Sequence, residues 1–179
     1  MRSFQRVALI LAACVFFAAY AQINDSVVVR WKKAMADNDE YIHAILSADR
    51  NVIENTKVLL HNLESKKVIY NTMALYHTDE MGRSLHSSDQ YLTLLEKATD
   101  IAMDEIYVRY LKGLHTHYAN ALAQLSGIQA ELKKGVPEKS VIKMKATVIY
   151  AEMKKAEAEQ LNMHEKMGVK EPEEPVQNQ

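Results

Sequence analysis

Cysteine is almost missing from this chain. Its 179 residues hold one, Cys14, and nothing after it can form a disulfide, act as a thiol nucleophile or bind metal through sulfur of that kind. A covalently attached haem is excluded too, because no Cys-x-x-Cys-His exists. Glycine and proline are scarce, at five and three residues, and neither occurs between Gln22 and Met81. No glycine-rich phosphate loop and no nucleophile elbow is present, which removes the common nucleotide-binding and hydrolase signatures. The three phenylalanines, Phe4, Phe16 and Phe17, all fall near the start. Neither sign of charge dominates. Setting aside Arg2 and Arg6 leaves 20 basic residues against 23 acidic ones, a net charge of −3. That is no footprint for nucleic acid or for an anionic membrane. The longest apolar run, "VALILAACVFFAAY" and the Ala21 that follows it, has 15 residues, fewer than the roughly 20 that span a bilayer.

What is present at the start reads as an export signal. Arg2 and Arg6 precede the apolar run, and Ala19-Tyr20-Ala21 supplies an A-x-A site for cleavage before Gln22. Residues 1–21 are therefore expected to be a signal peptide. Leu11-Ala12-Ala13-Cys14 also resembles a bacterial lipobox, which would leave a lipid anchor at Cys14. The residues after Cys14 stay apolar where a lipoprotein turns polar, so the plain signal is preferred. A cysteine-free exported chain fits a bacterial periplasm or cell surface, or release from the cell, better than a disulfide-rich eukaryotic secreted domain. One glycosylation sequon, Asn24-Asp25-Ser26, points the other way.

The remainder is helical by period. Apolar positions alternate spacings of three and four in Tyr107, Leu111, Leu114, Tyr118, Ala121, Leu125, Ile128 and Leu132. They do so again in Ile142, Ala146, Ile149, Met153, Ala156, Gln160, Met163 and Met167, and more raggedly from Trp31 through Asp49 and Val52 to Met73. No stretch alternates at period two long enough for a strand. The fold expected is all-α: an elongated antiparallel helical bundle over 22–168 with coiled-coil-like packing. Turns are expected at "HTDEMGRSLHSSD" around Gly82, with Ser87, Ser88 and Asp89 as caps, and at "KKGVPEKS" around Gly135 and Pro137. These give three long helices, or four if the first segment breaks near 37–49. Residues 169–179, with two prolines and no periodicity, read as a disordered acidic tail.

The polar residues offer candidate sites without a named chemistry. His115 and His117 are two apart on a helix, so they point about 200° away from each other and cannot share one metal. The plain expectation is a half-buried His115 bonded across the bundle and a solvated His117. Folding the segments at the expected turns brings two layers level: Glu54, His115 and Glu157; and His61, Tyr107 and His164. Bundle cores build metal sites from ligands on facing helices, so these are candidate ligands for zinc or copper. Met163, His164 and Met167 form a thioether–imidazole turn suited to Cu(I), although the methionines also continue the apolar seam. Met35 and His164 are placed roughly as axial ligands of a non-covalent haem. Glu40-x-x-His43 has the spacing of a di-iron pair but lacks a second copy. His77, Asp79, Glu80 and His86 form a polar group at the expected turn. Nothing gathers a catalytic set, so the chain reads as non-enzymatic. The leading expectation is an exported bundle that binds another envelope or surface protein or associates with itself, with Lys66, Asn38 and Gln160 as polar seam positions that either set register or mark faces a partner covers. The alternative is a periplasmic carrier of metal or haem.

Overall fold

The computed structural model describes residues 29, 33, 36–64, 72–98 and 105–167. The expected signal peptide with Cys14, the haem candidate Met35, the seam position Lys66 and the acidic tail lie outside them. Among the described residues four long helices pack together: α1 (Asp39–Glu64), α2 (Thr72–Ala98), α3 (Glu105–Leu132) and α4 (Lys139–Met167). They have 26, 27, 28 and 29 residues, close to 40 Å each at about 1.5 Å per residue. Matched lengths let every turn of one helix find a turn of its neighbours. None of the described helices is long and apolar enough to cross a membrane.

Local chemistry sets the ends. Asn38 caps α1, its carbonyl accepting from the amides of Tyr41 and Ile42, and Asp39 and Glu40 place negative charge on the first turn, where the helix dipole favours it. The α3–α4 turn is built on Glu131. One carboxylate oxygen accepts the Glu138 amide at 2.8 Å and the other binds Lys134. These bonds, Lys134 first, hold the Glu131 carboxyl below its ordinary range. The Glu138 carbonyl then starts α4 by accepting from Val141 and Ile142.

Each helix packs on its two ring neighbours: α1 on α2, α2 on α3, α3 on α4 and α4 back on α1. Cross-helix bonds fix the directions. Asn51 meets Ser84 and Asn55 meets His77; His115 meets Asp89; His117 meets Glu152 and Gln124 meets Lys145; Arg50 meets Glu157 and Glu64 meets Lys143. In the three sets with two bonds one number rises as the other falls, so α1–α2, α3–α4 and α4–α1 are antiparallel; α1 therefore runs parallel to α3, and α2 antiparallel to α3. The seams bury Ile42, Leu46 and Val52 of α1, Met81, Leu85 and Leu92 of α2, Leu114, Tyr118 and Ile128 of α3, and Ile142, Ile149 and Met153 of α4.

The expected all-α antiparallel bundle is the fold found, with two corrections. The turn expected around Gly82 does not exist: Gly82 and the expected caps Ser87, Ser88 and Asp89 lie inside α2. The apolar seam from Ala74 through Leu95 passes straight through them, and its burial outweighs the roughly 1 kcal/mol that a mid-helix glycine costs. The chain instead reverses between Glu64 and Thr72 and again between Ala98 and Glu105. The intervening 65–71 and 99–104 contain neither glycine nor proline. A break does fall at the start of the 37–49 stretch, as a turn at Asn38 ahead of α1; the four helices from Asp39 onward arise from the reversals after Glu64, Ala98 and Leu132. A Cβ on Gly82 would meet only Leu125 Cδ2, at 3.5 Å, an ordinary contact. Gly82→Ala is thus expected to stabilise the bundle by about 0.5–1 kcal/mol, read from urea unfolding. A turn at this position would give a loss instead.

Candidate functional site

At mid-length the core contains a carboxylic acid. Asp49 stands in the α1 seam among Ile45, Leu46, Val52 and Ile53, and is fully buried. Its spacing from Ile42, Ile45 and Val52 is the seam's own, so the helix has no way to turn it outward. Each of the other helices sends one neutral donor to it. Ser88 of α2 donates its hydroxyl to Oδ1 at 2.6 Å, Tyr118 of α3 donates its phenol to Oδ2 at 2.9 Å, and Gln160 of α4 donates its side-chain amide to Oδ2 at 2.5 Å. Ser88, Tyr118 and Gln160 are themselves buried. One side chain from each helix thus meets in a single polar layer.

Burial raises the Asp49 carboxyl from 3.8 to about 7, against the three hydrogen bonds that pull it down, and the charge of Glu157 adds to the rise. The same low-dielectric surroundings push the Tyr118 and Tyr110 phenols upward, Tyr118 also through Asp49 and Tyr110 through Tyr107. Beside the layer, Glu157 binds Arg50 at 3.2 Å and also Lys154. Burial lifts its carboxyl, and these two cations together bring it below its ordinary value. Chemically the layer can hold or release one proton. It also fixes how far each helix slides along the others, since a shift of one turn would strand every donor.

The paired histidines flank this layer. His115 reaches α2, with Nδ1 at 2.9 Å from Asp89 and Nε2 at 3.2 Å from Glu96. His117 reaches α4, with Nδ1 at 2.8 Å from Glu152 and Nε2 at 3.3 Å from Glu159. In both cases the two carboxylates are seven residues apart, one heptad, so a single imidazole spans two turns of its neighbour. Glycine at 113 makes room for this, since a Cβ there would stand 2.8 Å from Glu159 Oε2. Lys155 first, then His117 and Asn120, draw the Glu152 carboxyl down to about 2. The half-buried, cross-bonded His115 is as expected. The solvated His117 is not: its side chain is 13 % exposed and is held by two acids.

The two sequence-derived layers do not assemble. Glu54 is exposed and paired with Lys57 on its own helix. His115 lies in the α2–α3 groove, whereas Glu157 lies against α1 across the bundle. His61 is exposed near the end of α1, Tyr107 is buried near the start of α3, and His164 is buried near the end of α4. In the antiparallel register of α1 and α4, His61 and His164 sit at opposite ends. The cause is the missing turn at Gly82, which shifted the assumed pairing of α1 with α3 and reversed its direction. Met163 is a core residue packed with the apolar cluster. The Met167 side chain lies outside the described residues, as does Met35. The group His77, Asp79, Glu80 and His86 is on α2 rather than on a loop. There His77 meets Asn55, Glu80 binds Arg83 and His86 pairs with Gln90. Among the described residues no group of three or more His, Cys, Asp or Glu is placed to hold a metal ion.

His164 is nonetheless unusual. It is 2 % exposed, its Nδ1 has no partner, and burial first, then the charge of His43, pushes it down to about 4. Gln160, a polar seam position in the sequence, is buried and bonded to Asp49 across the bundle. Asp49 was visible in the seam but not singled out. A carboxylate at a seam position flanked by isoleucines was the available signal. Ser88 was hidden by its assignment as a cap, and Tyr118 by its fit to the apolar pattern. The chain matches no protein family model, no curated protein and no solved structure.

Proposed function

We propose that this is an exported, non-enzymatic helical bundle that acts through contact with protein, either a second copy of itself or another envelope or surface protein. The observation that carries the reading is the distribution of exposed apolar side chains. The bonds Asn55–His77 and Glu64–Lys143 set a register in which Val58, Leu75, Tyr76 and Val148 fall at one level of the bundle, with Met73 and Met144 about a turn further along. Val136, 88 % exposed, marks the tip of the same half at the α3–α4 turn. Among the described residues seven of the nine exposed large apolar side chains lie in this half, Val29 and Leu94 being the exceptions, and such a gathering is what a protein-binding surface requires. The layer at Asp49 supports the same reading, because when closed it sets the register of the helices that present this half. Export follows from the Arg2, Arg6 and Ala19-Tyr20-Ala21 pattern of the sequence.

The test is sedimentation of the chain lacking residues 1–21 over a range of concentrations, together with Leu75→Glu/Met144→Glu. The unsubstituted protein is expected to self-associate or to bind an envelope protein. The doubly charged variant is expected to do neither while keeping its helical circular dichroism. A monomer at every concentration that binds no envelope protein would contradict the proposal.

A further inference from the structure

We propose that the Asp49 layer is a proton-operated latch. With the carboxyl neutral, one buried hydrogen-bond set ties all four helices together; when the carboxyl loses its proton, the bundle loosens from its middle. The geometry carries this. The carboxyl is fully buried, and its hydrogen-bond partners are a hydroxyl, a phenol and an amide, each on a different helix. None of these brings a positive charge. The three neutral donors relieve a carboxylate formed here only in part; the rest of its solvation must come from water, and water reaches the centre of the layer only if helices part. The proton passes to that water as the O–H bond breaks and returns from water when the layer closes.

The charged and titratable groups around Asp49 act in the same direction or are engaged elsewhere. On α1, Arg50 is bonded to Glu157. From α2, Asp89 lies beside Ser88 and is bonded to His115 of α3. From α3, the phenols of Tyr110 and Tyr118 are held protonated by burial. From α4, Glu157 brings like charge toward Asp49, and Lys154 is bonded to that glutamate. His164, one turn beyond Gln160 on α4, works in the opposite sense at the end of the bundle.

Asp49 is held above its unfolded value, so the stability it gives is complete below about pH 4 and is lost as pH rises through about 7. His164 is held below its unfolded value of 6.5, so its contribution is complete above that pH and is lost as pH falls through about 4. The two slopes oppose each other between about pH 4 and 6.5. Burial also holds the His77 imidazole below its ordinary value, so it opposes Asp49 in the same sense; replacing His164 removes the larger opposing slope, and the comparison with and without Asp49→Asn isolates what Asp49 contributes.

The experiment is native-state hydrogen exchange of the full chain carrying His164→Gln, with and without Asp49→Asn. After correction for intrinsic exchange, the opening constant of core amides on all four helices is expected to rise about tenfold per pH unit from pH 5 to 7 in His164→Gln, and to level off above 7. With Asp49→Asn added, the rise is expected to fall below about threefold. An opening constant in His164→Gln that stays level or decreases over that range overturns the latch. So does a response confined to one helix. In the unsubstituted chain, carbon-13 titration of the Asp49 carboxyl supplies a readout that needs no variant to fold. A midpoint near 7 supports the proposal, and a carboxyl already ionised at pH 5 overturns it.

Discussion

Asp49→Ala is expected to destabilise the bundle by about 4 kcal/mol at pH 6, measured by urea unfolding. The substitution removes one acceptor and strands three donors, since the Ser88 hydroxyl, the Tyr118 phenol and the Gln160 amide all point at Asp49 oxygens from buried positions. A buried donor left without an acceptor costs about 1–3 kcal/mol. Partial recovery through rotation of the hydroxyls, and relief from holding a buried acid, keep the total below the sum of three such losses. The missing carboxyl also leaves a small void, which adds to the cost. Asp49→Asn is expected to lose roughly half as much, because its amide oxygen still accepts while its NH₂ faces donors. An alanine variant within about 0.5 kcal/mol of the parent would mean that the donors find partners elsewhere, as an ordinary surface site would allow.

Gln160→Glu is expected to produce the steepest pH response of any single substitution in this core. The Gln160 amide stands 2.5 Å from Asp49 Oδ2, so glutamate there places two carboxyls against each other where water is excluded. Like charges this close cannot both ionise. One proton is then shared, and the pair titrates as a unit rather than as two independent acids. Both carboxyls have folded values above their unfolded ones. The stability they allow is therefore complete in acid and is lost as pH rises through the folded values. The variant should sit about 1 kcal/mol below the parent at pH 5 and about 4 kcal/mol below it at pH 8, read from denaturant midpoints at each pH. A loss that is the same at both pH values would show that the two side chains do not meet.

The residues themselves show why some of this was legible in the sequence and some was not. The seams of α3 and α4 were readable because a three-four alternation survives over eight positions with few interruptions. Their mutual register was readable too, because Gly135 and Pro137 mark a real turn with a capping Glu131 behind it. The α2 boundaries were not. Gly82 looks like a break by propensity, yet it fills a helical position beside Leu125. The actual reversals fall where the residue types carry no breaker. Propensity at one residue amounts to about 1 kcal/mol, whereas a continuous apolar face amounts to many times that. One misplaced turn displaces every cross-helix pairing on that side, which is why the sequence pairs His61 with His164 while the fold sets them far apart. His117 was misread for a different reason. A helical wheel shows which way a residue points, but not that Glu152 and Glu159 approach from the neighbouring helix to meet it.

Asp49 illustrates the same limit from the other side. A lone acid in an apolar seam raises the question of what satisfies it, since a buried carboxyl without partners is rarely tolerated. The answer needs all four helices in register, and no single segment contains it. Buried polar groups of this kind add little net stability compared with a well-packed apolar layer, but they select one alignment among several that apolar packing alone would accept. In this bundle that selection fixes the half that carries Val58, Leu75, Tyr76, Met144 and Val148. The proposed surface and the central layer are thus linked through helix register.

The most direct test of the four-helix layer is proton NMR of the full chain, observing the Tyr118 hydroxyl. The account predicts a proton that exchanges slowly with water and shows nuclear Overhauser contacts to the side chains of Asp49 and Gln160, all lost in Asp49→Ala. A Tyr118 hydroxyl in rapid exchange with water, with no contact to α1 or α4, would contradict it.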